Sequence, residues 1–374
     1  MGTVEGLRVS GHLSCSKPIG HKRVFYLVQG ATIIFVSVIS NCTPSVIKDA
    51  AISLINGNLV AFPTETVYGL GADATNKNAV ARIYEVKGRP TGHPLIVHIS
   101  SIHVLEKWAR EIPECAIKLA SSFWPGPMTL ILPRTKLAKD YITGGQDNVG
   151  IRVPAHTDAL ALLKEFYTQG GLGIAAPSAN RFGAVSPTTA IAVELELGKY
   201  LSPNDQILNG GSCEIGIEST IIDCRQNSPK ILRPGAVTHE MIQEVCEVTI
   251  DAKLKNEIEK KIKVSGLLES HYSPTAELHI YGSPAKGEGL IALNSYVTPK
   301  GVVRLASPKT IEEYAQILYQ AFRLADKKGL KRVFIVPPSG NGIAVAINDR
   351  LAKAAFSKVL EPSKITTTVK DKFK

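Results

Sequence analysis

The chain has 374 residues, 44% of them hydrophobic, and its 43 Lys+Arg against 33 Asp+Glu give a formal charge of +10. That balance predicts a globular protein of two or three domains whose partner is anionic, such as a nucleotide, RNA or an acidic surface. Its six cysteines (Cys15, Cys42, Cys115, Cys213, Cys224, Cys246) never approach a Cys-x-x-Cys spacing, which argues against a structural zinc or a disulfide framework and points to a reducing cytoplasm.

The first segment, residues 1–43, reads as a leader outside the fold. His21-Lys22-Arg23 precedes the apolar run Val24 to Ile39, superficially like a signal peptide. Gln29, Gly30, Thr32 and Ser37 interrupt that run, and it is shorter than the ~20 residues that span a bilayer. No membrane association is expected, and a first strand is placed near Thr32 to Ser40.

After Pro44 the period becomes helical. Val46, Ile47, Ala50, Ala51, Leu54 and Ile55 form one stripe that Gly57 stops, and Leu59 to Phe62 reads as a buried strand. Helical patterns at Lys77 to Val86, Ile102 to Trp108 and Pro113 to Phe123 then alternate with strands at Leu95 to Ile99, Met128 to Leu132, Val149 to Val153 and Gly173 to Ala176. Further strands follow at Asp205 to Leu208, Ser219 to Asp223 and Ile231 to Arg233, with a closing helix at Thr238 to Val245. The alternation predicts an α/β domain over residues 44–250 built on one twisted mixed sheet with flanking helices.

Residues 251–276 read as a charged, Gly- and Pro-interrupted linker. Strands at Leu278 to Tyr281, Gly289 to Leu293, Val302 to Leu305 and Arg332 to Val336, with a helix at Ile311 to Lys327, predict a small Rossmann-like α/β domain over residues 277–362. A basic tail, residues 363–374, closes the chain.

The chemistry concentrates in Ala61-Phe-Pro-Thr-Glu-Thr-Val-Tyr-Gly-Leu-Gly71 and Lys87-Gly-Arg89-Pro-Thr-Gly-His93. Gly69-Leu-Gly71-Ala-Asp-Ala74 fits the Gly-x-Gly-x-x-Ala dinucleotide pattern, but no acidic residue stands at the ribose-binding distance. No P-loop sequence occurs anywhere. Lys87 and Arg89 stand two apart beside Pro90, where an extended backbone would aim both at one phosphate chain; the alternative is a solvated basic loop. Ser178 and Asn180, Ser219 and Arg233 also fall at strand ends, a rim of hydroxyls, amides and cations suited to a polar ligand.

Taken together, Pro63-Thr-Glu-Thr-Val-Tyr-Gly-Leu-Gly71, Lys87-Gly-Arg89, His93-Pro-Leu-Ile-Val-His98, Trp124-Pro-Gly-Pro-Met-Thr129, Arg152-Val-Pro154, Ser178-Ala-Asn180, Ser219-Thr-Ile-Ile222 and Leu232-Arg-Pro-Gly235 resemble the YrdC-type domain of threonylcarbamoyl-AMP synthase. Ser270-His-Tyr-Ser-Pro274 and the following α/β unit resemble the long, two-domain form of that family. The resemblance implies an enzyme that turns ATP, L-threonine and bicarbonate, with Mg²⁺, into threonylcarbamoyl-adenylate and pyrophosphate. A tRNA threonylcarbamoyl transferase complex would then take up the intermediate for adenosine modification.

It also implies a site. Threonine would meet Thr66, His98, Arg152, the backbone around Ala176, and Ser219; ATP would meet Lys87, Arg89, His93, Asn148, Ser178, Asn180, Ser186, Arg233 and Tyr272. Lys87 and Arg89 are the candidate catalytic residues, because in-line displacement at phosphorus needs positioning and charge rather than a covalent nucleophile. Asn148 stands where the family often has threonine. Glu65 is read as a buried carboxylate tying down its turn, with a base or metal ligand as the alternative. Trp124 is read as a packing anchor, and His271 with Tyr272 either as a linker turn or as a lid over the ATP pocket. Two other readings remain: a tRNA- or double-stranded-RNA-binding module without catalysis, and a carbamoyl-transfer enzyme of the hydrogenase-maturation type, whose Cys-x-x-Cys zinc sites are missing here.

Overall fold

The computed structural model describes residues 39–226, 228–246, 264, 272–280 and 282–356. The charged stretch 251–263, His271, the basic tail and nearly all of the expected leader lie outside the described residues.

The larger unit holds ten strands: β1 (Ile39–Asn41), β2 (Val60–Phe62), β3 (Gly69–Asp73), β4 (Ile96–His98), β5 (Met128–Pro133), β6 (Asn148–Arg152), β7 (Ile174–Ala175), β8 (Gln206–Asn209), β9 (Thr220–Asp223) and β10 (Lys230–Arg233). They form one mixed sheet in the order β1-β8-β2-β3-β7-β4-β6-β5-β9-β10. Its helices are α1 (Pro44–Ile55), α2 (Lys77–Lys87), α3 (Leu105–Trp108), α4 (Glu114–Phe123), α5 (Asp140–Thr143), α6 (Thr157–Thr168), α7 (Ala190–Leu197) and α8 (His239–Val245).

Local chemistry explains the start of α1. The Thr43 side chain accepts from Val46 N, and Pro44 occupies the first turn, where its missing N–H costs nothing. The apolar stripe Val46, Ile47, Ala50, Ala51 and Leu54 packs against Ala159, Leu162, Leu163 and Phe166 of α6. On β2, Val60 and Phe62 join that layer while Ala61 points into the opposite core, beside Val80 and Ile83 of α2. The period-2 alternation thus puts helices on both faces of the sheet.

The glycines of β3 are not a dinucleotide turn. Gly69 to Asp73 is a strand buried throughout. A Cβ on Gly71 would lie 2.7 Å from Ile174 Cγ2 and 2.9 Å from Phe62 Cε1, so the crossing side chains require hydrogen there.

The smaller unit is a parallel sheet in the order β11-β14-β12-β13, made of β11 (Glu277–His279), β12 (Gly289–Ile291), β13 (Val303–Ala306) and β14 (Arg332–Ile335). It carries α9 (Ile311–Lys327) and α10 (Ile343–Phe356). The two units share a core. Val67, Val185, Ile217 and Tyr272 belong to the same apolar cluster as Leu318 and Phe322 of α9. Gly216 has φ +80°, and a Cβ there would sit 2.5 Å from Gln316 Cα, so only glycine lets the units approach this closely.

Candidate active site

The sheet delivers the site by register. Parallel pairing of β4 with β6 sets His98 opposite Arg152, and parallel pairing of β5 with β9 sets Met128 opposite Thr220, directly after Ser219. A cavity of about 60 Å³ lies at these strand ends, lined by Thr66, His98, Arg152, Ala176 and Ser219. Arg89, Ser178, Arg233 and Tyr272 also line it, so nine of the residues expected from sequence converge. That volume falls well short of the roughly 300–1,000 Å³ typical of small-molecule sites.

Arg152 is held on three sides. Its Nη2 lies 2.6 Å from Glu65 Oε1, Nη1 donates to Thr66 Oγ1 at 2.9 Å, and Nε donates to Gly126 O at 3.2 Å. Thr66 is fixed in turn by a 2.8 Å hydrogen bond with Thr64 Oγ1. The Glu65 carboxylate thus pairs with Arg152 on β6 through Oε1, while its Oε2 has no hydrogen-bond partner among the described residues. His98 packs edge-on against Phe62 with ring centroids 5.9 Å apart. Burial, and secondarily the charge of Arg152, push its pKa down to about 3, so the imidazole is neutral. Its Nδ1 makes no hydrogen bond among the described residues.

Ser219 is the second fixed point. Its Oγ is 2.8 Å from Thr129 Oγ1, and Arg233 donates to the Ser219 carbonyl from Nε at 3.1 Å and from Nη2 at 2.8 Å. Arg233 Nη2 also reaches Ser219 Oγ at 3.1 Å. Burial lowers the Arg233 pKa from its ordinary value.

Lys87 and Arg89 are not a parallel pair on extended backbone. Lys87 ends α2, and Gly88, in the left-handed conformation at φ 60°, turns the chain between them. The Lys87 ammonium turns to the carbonyls of Ser178, at 2.6 Å, and Asn180. Burial, then the neighbouring Arg89, lower its pKa well below the usual lysine value. Arg89 instead reaches the cavity wall, donates to Pro94 O at 3.0 Å and lies 5.7 Å from the Phe182 ring centroid.

Five expected ligands stand outside the cavity wall. Lys87 and Asn180 shape the Ser178–Asn180 loop, with Asn180 Nδ2 donating to Arg181 O and Ala184 O at 2.8 Å each. His93 packs its ring 5.3 Å from Phe182. Ser186 donates to Glu218 at 2.6 Å. Asn148 begins the strand that Arg152 ends, about 13 Å of extended chain away. Trp124 donates its indole N–H to Met128 O at 2.7 Å, as a packing anchor would.

Glu218 also lines the cavity and was missed in sequence, although it immediately precedes the Ser219-Thr-Ile-Ile222 run. Burial pushes its carboxyl up, but Arg350, Arg233 and the Ser186 hydrogen bond outweigh that and hold it down at about 2. Tyr272 is 1% exposed, has φ +65°, and stacks on Tyr319 with ring centroids 5.7 Å apart.

A wall of three guanidiniums, several hydroxyls and a neutral imidazole can grip a carboxylate and a phosphate chain side by side. Comparison with known proteins shows the family. The family described as "Telomere recombination" matches residues 53–235, and that described as "Threonylcarbamoyl-AMP synthase, C-terminal domain" matches residues 237–356. The threonylcarbamoyl-AMP synthase of Pyrococcus abyssi is 40% identical over 331 residues, 84% of this chain and 95% of its own. That of Bacillus subtilis is 40% identical over 333 residues, 84% of this chain and 94% of its own. The crystal structure of P. abyssi Sua5 complexed with L-threonine superposes with a TM-score of 0.75 at 37% identity, covering 85% of this chain and 98% of that one. From the catalytic sheet through α10, this chain belongs to the threonylcarbamoyl-AMP synthase family.

Proposed function

We propose that the chain makes L-threonylcarbamoyl-AMP and pyrophosphate from L-threonine, bicarbonate and ATP. One observation carries this reading: Arg152 on Thr66 and Arg233 on Ser219 face into one cavity. The first pair suits an amino-acid carboxylate and the second a triphosphate. The threonine amine attacks the bicarbonate carbon, an N–C bond forms, and hydroxide leaves as water with an amine proton. A carbamate oxygen then attacks the α-phosphorus in line; the new O–P bond forms as the α–β bridge breaks and pyrophosphate departs.

Each residue has a part in that sequence. Arg152 orients the carboxylate, and the neutral His98 ring adds no positive charge beside the threonine amine. Arg89 and Arg233 offset charge on the triphosphate and on the departing pyrophosphate. Lys87 acts through the Ser178–Asn180 loop whose carbonyls it holds. Mg²⁺ arrives with ATP as part of the substrate, bound by phosphate oxygens and water.

The product is a reactive mixed anhydride, which fits a handoff to a tRNA-modifying transferase in the cytoplasm. No helix of the described residues is long and apolar enough to cross a membrane. The charge of +10 suits nearby tRNA, but the buried Arg152 and Arg233 favour catalysis over a module that only binds RNA. The test is incubation of the protein with ATP, L-threonine, bicarbonate and Mg²⁺, following pyrophosphate and the nucleotide product by mass spectrometry. Threonine-dependent pyrophosphate with a threonylcarbamoyl nucleotide is expected; release indifferent to threonine would overturn the reading.

A further inference from the structure

We infer that Arg350, on α10 of the smaller unit, is a positioning residue for the active site in the larger unit. The inference deepens the proposed function and rests on it. Arg350 is completely buried and does not itself line the cavity, but it bonds directly to Glu218, which does. All three of its nitrogens are engaged. Nε donates to Glu218 Oε2 at 2.9 Å, Nη1 to Asp349 Oδ2 at 2.5 Å, and Nη2 to two backbone carbonyls, Glu218 O at 3.3 Å and Pro234 O at 3.0 Å.

Those two carbonyls identify the role. Glu218 immediately precedes Ser219, and Pro234 immediately follows Arg233. Ser219 and Arg233 are the pair that hydrogen-bond each other on the cavity wall. One planar guanidinium therefore ties together the two segments that carry this pair, from behind. A lysine cannot substitute, because a point charge does not span two carbonyls and a carboxylate in fixed directions.

The same side chain neutralises Glu218, whose carboxylate also takes hydrogen bonds from Ser186 at 2.6 Å and Tyr319 at 2.9 Å. Its ring neighbour is Tyr272, with the guanidinium carbon 5.6 Å from the ring centroid. Glu218 thus has partners from both units. Without Arg350 the Glu218 carboxylate would lose its guanidinium tether and keep the hydroxyls of Ser186 and Tyr319, with Arg233 as a nearby cation, beside the wall where an anionic substrate must bind.

The experiment compares the full-length wild type with Arg350→Lys, Arg350→Met and the double variant Glu218→Gln/Arg350→Met. Steady-state KM and kcat are measured for L-threonine and ATP, calorimetric binding of L-threonine and of a non-hydrolysable ATP analogue on the same samples, and thermal unfolding throughout. Arg350→Lys should stay folded with KM for ATP raised about 10-fold, the loss expected for a severed charge-assisted tether. The double variant should recover thermal stability relative to Arg350→Met, because the unpaired carboxylate is gone, yet keep weakened binding of the ATP analogue. Wild-type KM and analogue binding in Arg350→Lys, or full recovery of both in the double variant, would overturn positioning and leave a purely structural ion pair. Should Arg350→Met fail to fold, Arg350→Lys and the double variant still decide. If the wild type binds the analogue but yields no threonylcarbamoyl nucleotide, the proposed reaction fails while the binding comparison still tests Arg350.

Discussion

Arg152 Nη2 and Glu65 Oε1 stand 2.6 Å apart, with each side chain only 5% exposed. Arg152, proposed to grip the substrate carboxylate, thus already pairs with a protein carboxylate. Removing the cation strands Glu65. Arg152→Ala is expected to cost about 3–5 kcal/mol of stability in denaturant unfolding and to abolish measurable threonine binding by calorimetry. Glu65→Gln should cost about 1–3 kcal/mol and keep threonine binding, because Thr66 and Gly126 O still hold the guanidinium.

Lys87 is expected to act through the loop it holds. Lys87→Met leaves the Ser178 and Asn180 carbonyls without their donor, a loss of about 1–3 kcal/mol for buried groups. Thermal unfolding should show it together with a raised KM for ATP. Arg89→Met, whose side chain lines the cavity, should raise KM for ATP with a smaller change in stability. Equal stability losses in the two variants would contradict this division of labour.

His98 sets a pH dependence. Its pKa in the fold is about 3 against an ordinary value near 6.5, so between those values the unfolded chain binds the extra proton. Its contribution to stability is complete above about 6.5 and is lost progressively on acidification toward 3, at up to ~1.4 kcal/mol per pH unit. Between pH 7 and pH 5 the wild type should therefore lose about 2 kcal/mol more than His98→Gln in urea unfolding. Parallel losses in the two proteins would show that the ring is protonated as easily in the fold as out of it.

At the seam between the units, Gly216→Ala places a methyl group against Gln316 in a backbone region that side chains disfavour. A cost of about 2–4 kcal/mol is expected. It should appear as a lower midpoint in thermal unfolding, and the substitution Gln316→Gly in the same chain should not restore it, since the φ of +80° remains.

The elements most legible in sequence were those with a strong period. The stripe of α1 ending at Gly57, the run of α9, and the buried strands β2, β5 and β6 fall where expected within a residue or two. The weakly patterned helices α7 and α10 were not. Ile191 and Leu195 of α7 are 66% and 80% exposed, which breaks the link between apolar residues and a buried face. On α10 the buried face is largely alanine, with a charged Arg350 at its centre. A single chain read in isolation assigns such a position to solvent. Of the cavity wall, Arg89, Ser178, Ser219 and Arg233 were legible as cations and hydroxyls near strand ends, whereas Thr66, His98, Arg152, Ala176 and Tyr272 came only from the family resemblance. Glu218 was legible in neither way, since its meaning depends on a partner 132 residues later, and Lys87 was misdirected by the αL turn at Gly88 that follows it.

The strand order of the larger sheet has a consequence for synthesis. β1 and β2, made first, are separated by β8, and β3 and β4 are separated by β7. A nascent chain leaving the ribosome therefore carries strands with vacant edges until Asn209 has emerged, and the cavity has no second wall until Arg233 follows. Late closure of non-local pairings is slow and exposes sticky edges. Translation arrested between β6 and β8 should thus leave a species that chaperones retain, whereas arrest far enough beyond β10 for that strand to emerge releases a sheet whose internal pairings are complete.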